Sequence, residues 1–415
     1  MPLRPGDFDL SDPDVFVAHG GPPHDYLRVL RREAPIHWNP APATQKTLSP
    51  IQQGFWVLSK YDDVVHVSRS PKLFSSAERG PYVWEMDEAG LAGQRLTLIA
   101  MDPPHHVKYR RLVQRGFTPR MVEKIEPTIR KHARAAVDAV ARKGECEFVE
   151  HLACELPLTL ICELVGIPQE MRKQIFDWSN HMIGADDTDM AAGHDPGAIA
   201  MQMWLYCNQL VAEKKAKPDD TLLSALANGA VDGEALSDLE LNNFFVLLAV
   251  AGNETTRNAT SQFMRLMFEH PEQWKLLTSD VDRYLPGAIE EVLRFAPPVV
   301  NFRRTVMQET EIRGQRFSPG DKLYLSYPSA NRDEDVFGES AMRFDITRKD
   351  NDHIAFGIGE HFCLGANLAR MQLRCILREI ATRLPDISLS GKPAFQRSNF
   401  IAGIKRMPVR FSPEA

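Results

Sequence analysis

The sequence predicts a mainly α fold with small β-sheets (α+β), and three observations carry that expectation. Apolar residues recur at helical spacing through most of the 415 residues, as at Tyr26, Leu27 and Leu30 or at Leu156, Leu160 and Leu164. The β-like runs are short: FWVLSK at 55–60, a stretch at 299–305, and a few residues near the C-terminus. The longest periodic stretch, Asp238–Glu269, is apolar nearly all round at FFVLLAVAG, as in a helix that crosses a core.

A hydrophobic content of 43% is ample for one large core, and no linker, repeat or long charge block marks a boundary, so 1–415 reads as one domain. A net charge of −6 argues against nucleic-acid binding, which needs an excess of Lys and Arg on one face. The opening MPLRPGDFDLSDPDV has no basic region followed by an apolar run, and the longest apolar run, 244–252, is too short to span a bilayer. Cysteines 146, 154, 162, 207, 363 and 375 form no CxxC pair or disulfide-like framework. A soluble protein of a reducing cytoplasm is expected.

In chain order, 1–23 is polar and rich in Pro, Gly and Asp, a wrapped arm. His24–Glu33 is helical and stops before Pro35; 55–60 is a strand, and Asp62 is placed as the cap of a short helix. No period is clear over 75–98, yet Tyr82, Trp84, Met86 and Leu91 make it too apolar for ordinary disorder, which suits a functional lid. A helix over 101–119 is entered through Pro103-Pro104 and left at Gly116, with His106 and Arg110 on one face. Helices follow over 120–143, 148–165, 168–183 and 198–214, the last two joined by a small, acidic segment expected to be mobile. In the central helix, Gly252 costs about 1 kcal/mol relative to alanine, and Glu254-Thr255 is expensive in a core unless partnered or useful. Leu248, Ala251 and Thr255 share a face. EEVLR (290–294) places Glu291 and Arg294 three apart, a spacing also common in surface ion pairs.

Near the C-terminus, FGIGEHFCLGANLAR sets Cys363 among Gly357, Gly359 and Gly365, at the mouth of a helix whose positive end favours a thiolate. A lone cysteine is more often inert core. Here Phe356, His361, Cys363 and Gly365 fall at the spacing FxxGxHxCxG, which resembles the haem-thiolate loop of the cytochrome P450 family. HxxxR (106–110), AGxET (251–255), ExxR (291–294) and an arginine before Phe344 precede it in the family's order, so the resemblance covers nearly the whole chain.

The resemblance implies a roughly triangular fold with b-type haem between the long distal helix and the cysteine loop and its helix. Cys363 would be the axial ligand, Phe356 its neighbour, and His106, Arg110, His361 and Arg304 would hold the propionates, with Arg303 competing for the last place. Ala251 and Gly252 would make room for dioxygen, and Glu254 and Thr255 would deliver protons. Glu291, Arg294 and Arg343 would form the network behind the loop, although GESAMRF departs from the family in lacking a proline and running one residue longer. Tyr82, Trp84, Leu247, Leu248, Val299, Val300, Phe400 and Ile401 would line a pocket for a hydrophobic substrate, a steroid side chain, branched lipid or terpenoid.

No flavin or dinucleotide fingerprint is present, so electrons are expected from a ferredoxin and its NAD(P)H-dependent reductase. Docking is assigned to Lys108, Arg111, Arg115, Arg370 and Arg374, with Arg378 on the same stripe. A monomer is expected. Three rival classes are a thiolate-haem sensor, a peroxide-driven peroxygenase and a haem-free helical protein; the first two do not need Glu254-Thr255, and the third does not need five motifs in register.

Overall fold

Ser237 begins the element around which the chain packs. Its hydroxyl accepts from the Glu240 N–H at 3.3 Å while a Glu240 oxygen accepts from the Ser237 N–H at 2.7 Å, a reciprocal cap. The helix it opens, Asp238–Glu269, coincides with the expected one and runs about 48 Å at 1.5 Å per residue. In this computed structural model, which describes residues 2–191 and 193–414, that helix lies against Glu155–Val165, Arg172–Ile183, Pro196–Ala216, Val281–Phe295 and Ala366–Arg383. Its two halves belong to different cores. Phe244 and Phe245 pack with Ile161, Leu210 and Leu226; Phe263 and Met267 pack with Ile289, Ile376 and Ile380. Leu248 touches both cores.

The β-structure stands to one side. A mixed five-stranded sheet has the order Ile36–Asn39, Phe55–Leu58, Lys322–Ser326, Asn301–Val306, Phe74–Ser75. Leu323 sits opposite both Trp56, in parallel register, and Arg304, in antiparallel register. The register holds Arg304 in a buried strand whose neighbours are all paired.

Three expectations change. The helix Tyr61–Ser68 is not capped by Asp62, which lies within it; Asp333, from a distant segment, accepts the Tyr61 N–H at 3.0 Å. The helix expected over 101–119 is His105–Val113 followed by a 3₁₀ turn, Gln114–Phe117. The described part of the acidic segment after Ile183 is tied down: buried Asp187 accepts from the Arg397 N–H at 2.8 Å and from Lys405 at 2.9 Å, and Asp189 accepts from Lys405 at 2.8 Å. Its acidity matches the basic C-terminal hairpin. No helix among the described residues is long and apolar enough to cross a membrane.

Candidate functional site

The cysteine loop is closed by the Cys363 N–H donating to the Phe356 carbonyl at 2.8 Å. Gly357 (φ 70°) and Gly359 (φ 75°) take left-handed conformations, and a Cβ on Gly359 would stand 2.7 Å from the Ser68 carbonyl, so this glycine is required twice over. Cys363 faces a cavity of about 270 Å³. Burial pushes its thiol up, against the Gly365 N–H, Arg110 and Arg370, which pull it down. Helix position alone therefore does not make the thiolate in the free chain; a cation on the sulfur reverses the balance.

Across the cavity, Leu247, Leu248, Ala251, Gly252, Thr255 and Thr256 line one wall, with Val299 and Phe302 beside them. The Thr255 hydroxyl donates to the Ala251 carbonyl at 2.9 Å. Gly252 also answers a packing demand, because a Cβ there would meet Ile161 Cδ1 at 2.6 Å. Glu254 does not line the cavity. It is wholly buried on the other side of the helix, paired with Arg257, whose guanidinium also donates to Asn180 at 2.7 Å. Burial raises its carboxyl although Arg257 opposes, and Glu254 Oε1 has no hydrogen-bond partner among the described residues.

Two arginines and two histidines also line the same cavity. His106 is fully buried with neither ring nitrogen bonded among the described residues, and burial, helped by Arg110, lowers it to about 4. Arg304 is 5% exposed, donates only to the Arg303 carbonyl at 2.8 Å, and meets no carboxylate at ion-pair distance among the described residues. His361 lies 4.5 Å from His106, ring to ring, and its Nε2 is 3.2 Å from the Ser76 hydroxyl. Arg110 donates to the Phe362 carbonyl at 2.6 Å and to the Glu360 carbonyl at 3.3 Å.

A cysteine in a largely apolar cavity that Arg110, Arg304, His106 and His361 also line agrees with what comparison shows. The family model "Cytochrome P450" matches residues 173–384. The steroid C26-monooxygenase of Rhodococcus jostii is 41% identical, over 99% of this chain and 86% of the relative. The chain belongs to the cytochrome P450 family. The methyl-branched lipid omega-hydroxylase of Mycobacterium tuberculosis is 39% identical, over 98% of this chain and 95% of that protein. Among solved structures, a Mycobacterium marinum cytochrome P450 in complex with pseudoionone superposes with a TM-score of 0.90 at 38% identity, covering 99% of this chain and 100% of that one. This P450 is thus a monooxygenase, and its family carries haem on a cysteine thiolate.

The residues present fit that group. Buried Arg304, which meets no anion among the described residues, and His106, whose ring nitrogens have no hydrogen-bond partner among them, are costly as they stand; carboxylates reaching into the cavity rim would answer both. His361 and Arg110 stand beside them, whereas Arg303 does not line the cavity.

Of the expected pocket residues, Leu247, Leu248 and Val299 line the cavity. Tyr82, Trp84 and Phe400 form the layer behind it. Tyr82 stacks on Trp84 at 4.4 Å, Phe400 meets both rings edge-on at 5.2 and 5.9 Å, and Phe400 rests 5.6 Å from Phe302. Val300 packs into the separate core under the N-terminal arm, and Ile401 bridges Val299. Sequence reading missed Ile161, Phe302 and Thr256; their spacing is that of ordinary core.

The network behind the loop needs a correction. Arg294 grips Glu291 through two 2.8 Å bonds, both side chains wholly buried. The third partner is Arg348, donating to Glu291 at 3.1 and 3.4 Å. The Arg343 side chain is 71% exposed and reaches only Asp345; its carbonyl, not its guanidinium, joins the network by accepting from Arg294 and Arg348 at 3.2 Å each.

The basic face also changes. Lys108 pairs with Asp232, Arg378 with Asp282 and Arg370 with Glu290, so none is a free cation. Arg111 and Arg374 are exposed and make no ion pair with a described residue; Arg111 and Arg69 line a hollow beside the cysteine loop. The side chain of Arg115 lies outside the described residues.

Proposed function

We propose that this P450 binds haem b through Cys363 in a reducing cytoplasm, as a single-domain monomer, and hydroxylates an uncharged branched substrate: a steroid side chain, a methyl-branched lipid or a terpenoid. The observation that carries the reading is the meeting of Cys363, Thr255 and an apolar wall in one cavity whose charged residues, Arg110 and Arg304, sit with His106 and His361 at the rim. The relatives' names support the substrate class, steroid C26 and methyl-branched lipid, as does the pseudoionone complex. Glu85, the one carboxylate in the expected pocket segments, is paired with Lys322 and leaves the cavity free of acids.

Haem ligated by a thiolate supplies the O–O cleavage and C–H oxidation. The chain's part is positional. Cys363 Sγ would hold the iron, and His106, Arg110, Arg304 and His361 would hold the propionates. Leu247, Leu248, Val299 and Phe302 exclude water and orient the substrate. Thr255 Oγ holds a proton at the face opposite the sulfur, and Glu254 replenishes it by turning its free oxygen away from Arg257. Electrons come from a ferredoxin and its NAD(P)H-dependent reductase, docking through the exposed Arg111 and Arg374 and the hollow that Arg69 and Arg111 line beside the cysteine loop. Salt should slow that association.

A carbon monoxide difference spectrum of the reduced protein tests the core of the reading, and the absence of a red-shifted Soret band would sink it. Low-spin to high-spin conversion tests the substrate class. A sterol ketone with an intact side chain, a methyl-branched fatty alcohol and a terpenoid ketone should include binders. A spectrum shifted only by charged or polar molecules would refute the class.

A further inference from the structure

Arg370 has the sequence position of a docking cation, but its guanidinium, on a side chain 36% exposed, is engaged by the chain's own groups. Nε and Nη2 each donate to a Glu290 oxygen at 2.8 Å, and the guanidinium carbon lies 4.5 Å from the centre of the Phe356 ring. Glu290 is itself held from the other side. His353, with a side chain 2% exposed, donates Nε2–H to it at 3.1 Å; the Ala355 N–H bonding to His353 Nδ1 at 3.2 Å fixes that tautomer. Phe356 in turn accepts the Cys363 N–H. Neighbouring carboxylates of one helix thus do separate work: Glu291 braces Arg294 and Arg348, and Glu290 sets Arg370 over the ring beside the sulfur.

We propose that Arg370 is a positioning residue for the reaction, a cation held by Glu290 over Phe356 so as to raise the reduction potential of the cysteine-ligated haem. This rests on the reading that Cys363 ligates haem. One-electron reduction adds negative charge at the iron and sulfur. A fixed cation beside them favours the reduced form; the Arg370 side chain is 36% exposed, so solvent screens part of its field and the ring covers one side of it. Within the pair it is the guanidinium that lies over the ring, and the carboxylate binds the guanidinium. Removing either member therefore leaves a bare charge of the opposite sign, so the two removals act in opposite directions. Loosening of the loop would instead move both variants the same way.

The test is a redox titration, with dithionite as reductant, of the haem-loaded full-length protein as wild type, Arg370→Gln, Arg370→Lys and Glu290→Gln. Arg370→Gln should shift the reduction equilibrium about tenfold toward the oxidised form, about 59 mV for one electron. Glu290→Gln should shift it several-fold the other way, and Arg370→Lys, which keeps the charge, should stay within twofold of wild type. Shifts of the same sign in both charge-removing variants, or no shift beyond twofold in either, would overturn the proposal. So would an unchanged potential with an altered salt dependence of ferredoxin reduction, the mark of a docking cation. If Arg370→Gln does not take up haem, Glu290→Gln and Arg370→Lys decide: a raised and an unchanged potential support the proposal, and any other pair overturns it. A wild type without the thiolate Soret band would instead refute the haem reading itself.

Discussion

Replacing Arg348 by methionine, with Arg343→Met beside it, separates the observed network from the one the sequence suggested. Arg348 is nearly buried and donates to Glu291 at 3.1 and 3.4 Å, to the Ser340 carbonyl at 2.8 Å and to the Arg343 carbonyl at 3.2 Å. A hydrogen bond to a charged group contributes about 1.5–3 kcal/mol. Leaving a buried charge wholly unpaired costs about 3–5 kcal/mol. Glu291 would not be unpaired, because it keeps Arg294 at 2.8 Å, the Asp345 N–H at 3.0 Å and the Asn351 amide at 3.1 Å. The expected loss for Arg348→Met is therefore about 2–4 kcal/mol, within the bounds set by one lost charged contact and one abandoned charge. Arg343→Met removes an exposed 3.3 Å pair with Asp345, a class that contributes about 0–1 kcal/mol, and leaves the useful carbonyl in place. Denaturant unfolding of the haem-loaded protein, followed by far-UV circular dichroism and by Soret absorbance, reads both. Arg348→Met should lower the midpoint without changing the slope, and the Soret band should be lost with it. An Arg343→Met loss equal to or larger than that of Arg348→Met would refute the assignment.

Thr255→Ala should leave the unfolding midpoint and substrate binding near wild type, since its hydroxyl only supplements a helical carbonyl. Product per NAD(P)H should fall, with dioxygen appearing as hydrogen peroxide, by less than the about 10²–10⁴-fold of a positioned proton-transfer group, because water partly substitutes; wild-type coupling would refute the role. Gly252→Ala sets a methyl 2.6 Å from Ile161 Cδ1 and 2.9 Å from Cγ1, and overpacking of this kind costs about 1–3 kcal/mol. Adding Ile161→Ala should recover part of it; strictly additive losses in the double variant would show that the glycine serves something other than that contact. Phe400→Leu breaks ring contacts with Tyr82, Trp84 and Phe302, each contributing about 0.5–1.5 kcal/mol. It should weaken spin-state binding of the substrate several-fold, and unchanged binding would place the cluster outside the pocket's support.

What was legible in the sequence was local. The bounds of Asp238–Glu269 follow from the longest helical pattern in the sequence, and the cysteine loop from the spacing of its glycines about Cys363. What was not legible depended on partners far away in the chain. Asp333 caps Tyr61–Ser68 from 272 residues off, Glu290 takes Arg370 out of the basic stripe from 80 residues off, and Arg348 fills the place expected for Arg343. A four-residue stripe tells which residues share a helix face, but not what the next helix sets against it. Glu254 and Thr255 show the same limit within one helix. Neighbours on a helix are turned by about 100°, and the cavity takes Thr255 with its neighbour on one side, Thr256, leaving Glu254 on the other side outside it. Thr255 faces it, and Glu254 pairs with Arg257, which also donates to Asn180. In the proposed relay the acid is therefore a reservoir and the hydroxyl the contact, and Arg257, by holding one carboxylate oxygen while Oε1 stays unpartnered, governs how often the acid turns toward the cavity.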